Sequence, residues 1–118
     1  MDTLRVLIVD DEPGMQYSVA RALRHFTVQL PDVEGEVCFE TETASSGEEG
    51  LQKLASWSPD ILLLDYKLGD MTGLDVLEHL VKHEREVLTV MITAFATLET
   101  AIRATKCGAF DFLAKPFT

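Results

Sequence analysis

Short runs of apolar residues alternate along the whole chain with segments whose apolar residues recur at helical spacing, and no other feature constrains the fold as strongly. A strand that is apolar at nearly every position must be buried on both faces. A parallel sheet covered by helices provides that burial, and a one-sided antiparallel sheet does not. Leu4 to Val9 is such a run. Pro13 then suits the first position of a helix, and Met15, Val19, Ala22, Leu23 and Phe26 follow at helical spacing.

The pattern continues to the end of the chain. Val37 to Thr43 alternates apolar and polar residues, which suits a strand with one wet face at a sheet edge. Ser46 and Glu49 have capping-box spacing ahead of Leu51, Leu54 and Ala55, and Ser58-Pro59 closes that helix. Ile61 to Leu64 is wholly apolar between Asp60 and Asp65, as a central strand requires. Leu74, Leu77, Leu80 and Val81 set out a third helical face. Val87 to Ile92 reads as a fourth strand, and Leu98, Ala101, Ile102 and Thr105 as the face of a fourth helix that Gly108 can close. Ala109 to Leu113 is the fifth strand.

With no linker, repeat or low-complexity tract, residues 1–118 form one domain of α/β class with a doubly wound parallel five-stranded sheet. Such a sheet needs helices on both faces, yet no fifth helix follows the last strand. The expectation is that the natural protein continues beyond Thr118, or that an apolar patch beside the first and fifth strands is left for a partner.

Twenty Asp plus Glu against ten Lys plus Arg give a net charge of −10. A chain this acidic, with no basic stripe, is expected to make no direct contact with nucleic acid and none with an anionic membrane. Apolar stretches are far too short to span a bilayer. Cys38 and Cys107 have no metal-binding spacing and no signal peptide precedes them, so both thiols read as small core residues in a cytoplasmic protein.

In an open parallel sheet, ligands bind beyond the carboxyl ends of the strands. Asp10, Asp11 and Glu12 follow the first strand, Asp65 the third, Thr93 the fourth and Lys115 the fifth. Carboxylates gathered there repel one another, each close pair by about 4 kcal/mol at an effective dielectric of 20, and so call for a cation. With oxygen ligands only, the cation is a hard one such as Mg²⁺ (or Mn²⁺), which keeps room for a phosphate. A metal, a lysine and a hydroxyl around a carboxylate nucleophile suit phosphoryl transfer, and Asp65 on the central strand is best placed to be that nucleophile.

These motifs in this order, Val-Asp-Asp-Glu at 9 to 12, Leu-Leu-Asp at 63 to 65 with Met71 and Gly73, Thr-Ala at 93 and 94, and Lys-Pro-Phe at 115 to 117, resemble the receiver domain of two-component response regulators. The resemblance implies a flavodoxin-like sheet of order 2-1-3-4-5, with the fifth helix missing from this chain. It implies that Asp65 is phosphorylated by a sensor histidine kinase or phosphotransfer protein in a phosphorelay. Asp11, Asp65 and the main-chain carbonyl of Lys67 would ligate Mg²⁺, and Asp10 would act mainly through water. Thr93 would hydrogen-bond the phosphoryl group and Lys115 would pair with it. Phe95 would be the switch aromatic, and the Lys115–Pro116 peptide would be cis. The domain would be a signalling phosphoacceptor rather than an enzyme, assisting its own phosphorylation and dephosphorylation while switching an output module, with a homodimer open to it. Residues 93 to 117 are most similar to receivers attached to sigma-54-type activators of transcription, which implies an output domain in the same polypeptide.

Two stretches depart from the family pattern. The ten residues from Thr27 to Glu36 form an insertion expected as an exposed loop or extra turn away from the rim. Gly69 stands where the family often has proline, which loosens the loop after Asp65, and Asp70 adds charge near the site. Taken one at a time these carboxylates could be solvated strand ends, Thr93 a turn cap and Phe95 core. Their joint spacing favours the site. His79 and His83, four apart without a third ligand, read as an exposed helix face, and Trp57 as an edge of the core. Two other functions compete. A flavin-binding module on the same fold would need a Ser/Thr/Gly-rich loop where Asp-Asp-Glu-Pro stands. A phosphorylation-independent receiver-like module for binding or dimerisation would not need the site to be intact.

Overall fold

The structure, a computed structural model, describes residues 2–24, 27–28, 37–93 and 97–114. Its elements in chain order are β1 (Asp2–Val9), α1 (Pro13–Arg24), β2 (Thr27–Val28), β3 (Val37–Ala44), α2 (Gly47–Trp57), β4 (Ile61–Leu64), α3 (Gly73–Lys82), β5 (Leu88–Thr93), α4 (Leu98–Lys106) and β6 (Asp111–Ala114). The strands make one sheet in the order β2-β3-β1-β4-β5-β6. All neighbours are parallel except β2, which pairs antiparallel with the start of β3, Thr27 against Cys38 and Val28 against Val37. Without β2 the order is the expected 2-1-3-4-5, with β4 at its centre.

The apolar runs are buried as their composition demands. Val6, Leu7, Ile8 and Val9 of β1 are all essentially inaccessible. Leu7 and Val9 point with Leu62, Leu64 and Met91 toward Leu54 of α2, Leu74, Leu77 and Leu80 of α3, and Ala104 of α4. Val6 and Ile8 point the other way with Ile61 and Leu63, onto Val19, Ala20 and Leu23 of α1. Three helices thus cover one face and, among the described residues, α1 alone covers the other. Ile61 and Leu63 are accordingly only half-buried, whereas Leu62 and Leu64 are fully buried. An open groove of ≈ 700 Å³ runs along α1, lined by Met15, Val19, Ala22 and Leu23.

Several sequence expectations need correction. Part of the insertion is not a loop, because Thr27–Val28 adds a short antiparallel strand that covers the first two residues of β3; residues 29–36 lie outside the described residues. Further along β3, Glu40 and Glu42 are exposed to solvent. On α3, Val76 is buried and Val81 is 63% exposed, so the buried stripe runs one residue earlier than the leucine pattern suggests. On α4, packing through Ala104 and Cys107 turns Ile102 and Thr105 outward, and the Thr105 hydroxyl donates back to the Ala101 carbonyl. Ser46 does cap α2, accepting from Glu49 N, but the Glu49 carboxylate takes the N–H of Ser45 rather than that of Ser46. Full capping boxes occur instead at Thr72 and Thr97. Gly108 closes α4 with φ +100°, as expected, and Trp57 edges the core with the Arg5 guanidinium over its ring. No helix among the described residues is long and apolar enough to cross a membrane.

These burials separate two residues that the sequence pattern treats alike. Leu62→Ala is expected to destabilise the domain by about 2–5 kcal/mol, whereas Val81→Ala should stay within about 0.5 kcal/mol of wild type. Urea unfolding of both variants distinguishes the outcomes.

Candidate metal and phosphoryl site

The parallel register places the chemistry. Val9 pairs with Leu64 and Ala44, so the residues that follow these strands emerge side by side on one rim. Asp10 N donates to Ala44 O at 3.0 Å and Asp65 N to Val9 O at 2.9 Å, so each aspartate begins where its ladder ends. Both carboxylates are buried, with Asp10 4% and Asp65 5% exposed. The Asp10 side chain accepts the N–H of Glu12 at 2.9 Å, which turns the chain sharply into α1. Asp11 and Glu12 remain exposed at the mouth.

One carboxylate oxygen from each of Asp10, Asp11, Glu12 and Asp65 lies within 4.8 Å of the others. Among the described residues this is the only such group of acids, histidines or cysteines. Its donor set fits a hard divalent cation: oxygen only, two groups buried and two exposed, so that the ion would keep part of its water. Glu12 belongs to the cluster although the sequence reading gave it no role. His79 and His83 stack on each other, ring centroids 4.2 Å apart, and join no such cluster.

Thr93, fully buried, ends β5 on the same rim. Lys67 follows Asp65 in a tight finger of chain that returns through Thr72 to α3, with Lys67 and Thr72 forming an isolated antiparallel bridge. Gly73 N donates to Tyr66 O at 2.6 Å and Leu68 N to Met71 O at 3.2 Å. Gly73 is required by space, since a Cβ there would lie 2.5 Å from the Asp65 carbonyl oxygen and 3.0 Å from Met91 Cε. Lys115, Phe95 and the Lys115–Pro116 peptide lie outside the described residues.

Gly69 at the finger's tip has φ +84°, a conformation that proline cannot adopt and glycine adopts without a Cβ penalty. The departure at this position is thus a different turn. Asp70 beside it does not simply add charge to the site. Its carboxylate accepts the first N–H groups of α2, Gly47 N at 2.9 Å and Glu48 N at 3.0 Å. Those hydrogen bonds, Glu48 N first, hold the Asp70 carboxyl below the usual carboxylate range. On the opposite side, the Gln16 amide donates to Asp10 O, to Ala44 O at 3.2 Å and to Ser45 Oγ at 3.1 Å. Neither role is visible in the sequence, where no spacing links residue 70 to 47 or residue 16 to 45.

The response regulator receiver domain family matches residues 6–118. The chain is 36% identical over 113 residues to the regulatory protein AtoC of Escherichia coli K12, covering 96% of this chain and 22% of that protein. It is 37% identical over 116 residues to the response regulator protein PilR of Pseudomonas aeruginosa, covering 98% of this chain and 24% of that protein. Among solved structures, a CheY-like receiver domain protein from Methanospirillum hungatei superposes with TM-score 0.78 at 30% identity, covering 99% of this chain and 85% of that one. The chemotaxis protein CheY4 of Vibrio cholerae gives 0.81 at 25% identity, covering 98% and 89%. A wound parallel sheet with an acidic pocket at its strand ends is the frame that these receiver domains share with the chain. The chain belongs to the response regulator receiver family, whose standard role is phosphorylation-based switching of an output. AtoC and PilR are of the sigma-54-type activator class that residues 93 to 117 resemble, and the chain spans about a quarter of the length of each.

Gly73→Ala should displace the Asp65 backbone, costing about 1–3 kcal/mol as an overpacked site does and weakening Mg²⁺ binding with it; thermal melts and calorimetric titration read the two effects. For Asp70 the folded pKa is depressed, so its stabilisation is present above the unfolded value and is lost as pH falls through the folded one. The stability advantage of wild type over Asp70→Asn should therefore be constant above about pH 5 and shrink below about pH 3.9, as melts across that range would register.

Proposed function

We propose that Asp65 is the phosphoacceptor and that the domain takes its phosphoryl group from the phosphohistidine of a sensor histidine kinase or phosphotransfer protein. A carboxylate oxygen of Asp65 attacks phosphorus, the P–N bond breaks with its electron pair passing to the imidazole nitrogen, and an acyl phosphate remains. The observation that carries this reading is the burial of Asp65 at the end of the central strand within a four-carboxylate group. A carboxylate there is screened from water and aimed at the one rim where a cation can neutralise an incoming phosphoryl group.

Asp11, Asp65 and the Lys67 carbonyl would hold Mg²⁺ (or Mn²⁺), with Asp10 acting mainly through water. When bound, the ion offsets the charge on the phosphoryl oxygens during transfer. The Thr93 hydroxyl at the end of β5 donates to the phosphoryl group and Lys115 pairs with it. Movement of Thr93 toward the acyl phosphate and reorientation of Phe95 shift the domain between two pre-existing states, by no more than the difference in their affinity for the phosphoryl group. The domain assists its own phosphorylation and dephosphorylation and needs no turnover of substrate.

The output module is proposed to be attached or associated and to act in transcription, which the length of the matched relatives supports. The domain itself is read as cytoplasmic, without nucleic-acid contact, and able to pair as a homodimer. Incubation with acetyl phosphate and Mg²⁺ should add the mass of one phosphoryl group, and Asp65→Asn or chelation of Mg²⁺ should abolish the addition. Equal labelling of the Asp65→Asn chain, read by intact-mass spectrometry, overturns the assignment, and a wild-type chain that takes no label leaves the phosphorylation-independent module.

A further inference from the structure

Two loops carry the proposed cation ligands, and both are tied to a third segment that carries none. The β3–α2 turn, Ser45 to Gly47, receives Gln16 on one side, the same side chain that holds the Asp10 carbonyl. On its other side it offers Gly47 N and Glu48 N to Asp70, at the tip of the finger that begins at Asp65. Met71 packs directly beneath Gly47, where a Cβ would fall 2.2 Å from Met71 Cγ, so the finger and the start of α2 are in close van der Waals contact.

We propose that Asp70 is a positioning residue for the cation site: by gripping the N-terminus of α2 it fixes the finger that bears the Lys67 carbonyl against the loop that bears Asp10 and Asp11. The strand ladder holds Asp10 and Asp65 through their own N–H groups, whereas the Lys67 carbonyl lies two residues beyond it, in the finger. The finger's root is held by the Lys67–Thr72 bridge and by Gly73, and Leu68 and Met71 pack into the core, while the tip between them turns at Gly69 in a left-handed conformation. Asp70 ties that tip to α2, and the amide groups of α2 offset its own negative charge, so the grip adds no repulsion of its own. The inference rests on the phosphoacceptor reading above.

Its test uses Asp70→Ala beside Ser46→Ala, which removes a cap from the same helix end without touching the finger. Magnesium binding to the unphosphorylated chain is measured by calorimetry, labelling by acetyl phosphate at saturating Mg²⁺, and stability by thermal melting. Asp70→Ala should raise the Mg²⁺ dissociation constant about tenfold, the lower end of what losing the partner behind a metal ligand costs. The labelling rate at saturating Mg²⁺ should stay within about twofold, because excess ion restores the occupied site. Ser46→Ala should lower the melting temperature similarly and leave the Mg²⁺ constant unchanged. An unshifted constant in Asp70→Ala, or an equal shift in Ser46→Ala, overturns the proposal. Should Asp70→Ala not fold, Asp70→Asn keeps one acceptor oxygen, and an unshifted constant there overturns it likewise. A wild-type chain that binds Mg²⁺ and labels at Asp65 while these variants show no shift defeats this inference alone; a wild-type chain that does neither defeats the phosphoacceptor reading first.

Discussion

The repulsion between Asp10 and Asp65 is the constraint around which the rest of the molecule is arranged. Two carboxylates, each nearly buried, stand at the ends of neighbouring strands because Val9 and Leu64 are in register. Two carboxylates this close repel, and the repulsion alone would drive them apart. The sheet prevents separation. Both aspartates continue a parallel ladder through their main-chain N–H groups, so moving either one breaks the hydrogen bonds that define the sheet edge. The apolar stretch behind them, Val6 to Val9 and Leu62 to Leu64, is what makes that ladder hard to deform. Core and site are thus one mechanical unit.

What the sequence made legible follows from the same physics. Strands buried on both faces must be apolar at nearly every position, so Leu4 to Val9 and Ile61 to Leu64 could be placed as strands, and residues following such strands could be put on one rim. Helix faces were harder to read. Val81 and Ile102 are apolar and correctly spaced, yet both face solvent, because a helix of ten residues can rotate by one position and still bury a stripe of similar content. Short-range spacing also misled at Glu49, which has the right offset for a capping box but takes the preceding N–H. The hydrogen bonds of Asp70 to Gly47 and Glu48, and of Gln16 to Ser45, join segments distant in sequence, and no periodicity encodes such meetings.

The layers are unequal, and this bears on how the domain could signal. With α2, α3 and α4 against one face and α1 alone among described helices on the other, Ile61 and Leu63 keep part of their surface. The groove along α1 is largely apolar but takes Glu12 of the carboxylate group into its lining, and α4 exposes Ile102 among Glu99, Arg103, Thr105 and Lys106. The groove therefore shares Glu12 with the rim, and β5 runs from buried Thr93 at the rim to Leu88, 45% exposed, at its other end.

The net charge of −10 divides into parts with different physical meaning. From Val28 to Gly50 there are seven acids and no Lys or Arg. Two of these, Glu40 and Glu42, are exposed on β3, near the edge of the sheet, where charge discourages pairing with another chain. Glu42 lies 3.6 Å from Lys53, which also donates to the Thr43 carbonyl and so braces α2 against the strand that precedes it. Glu48 and Glu49 occupy the first turn of α2, where negative charge is favoured by the helix dipole. Glu42, Glu48 and Glu49 thus serve the position of α2, and α2 in turn is what Asp70 holds. Part of the acidity that looks diffuse along the sequence converges on the one helix whose N-terminus anchors the finger beside the carboxylate cluster.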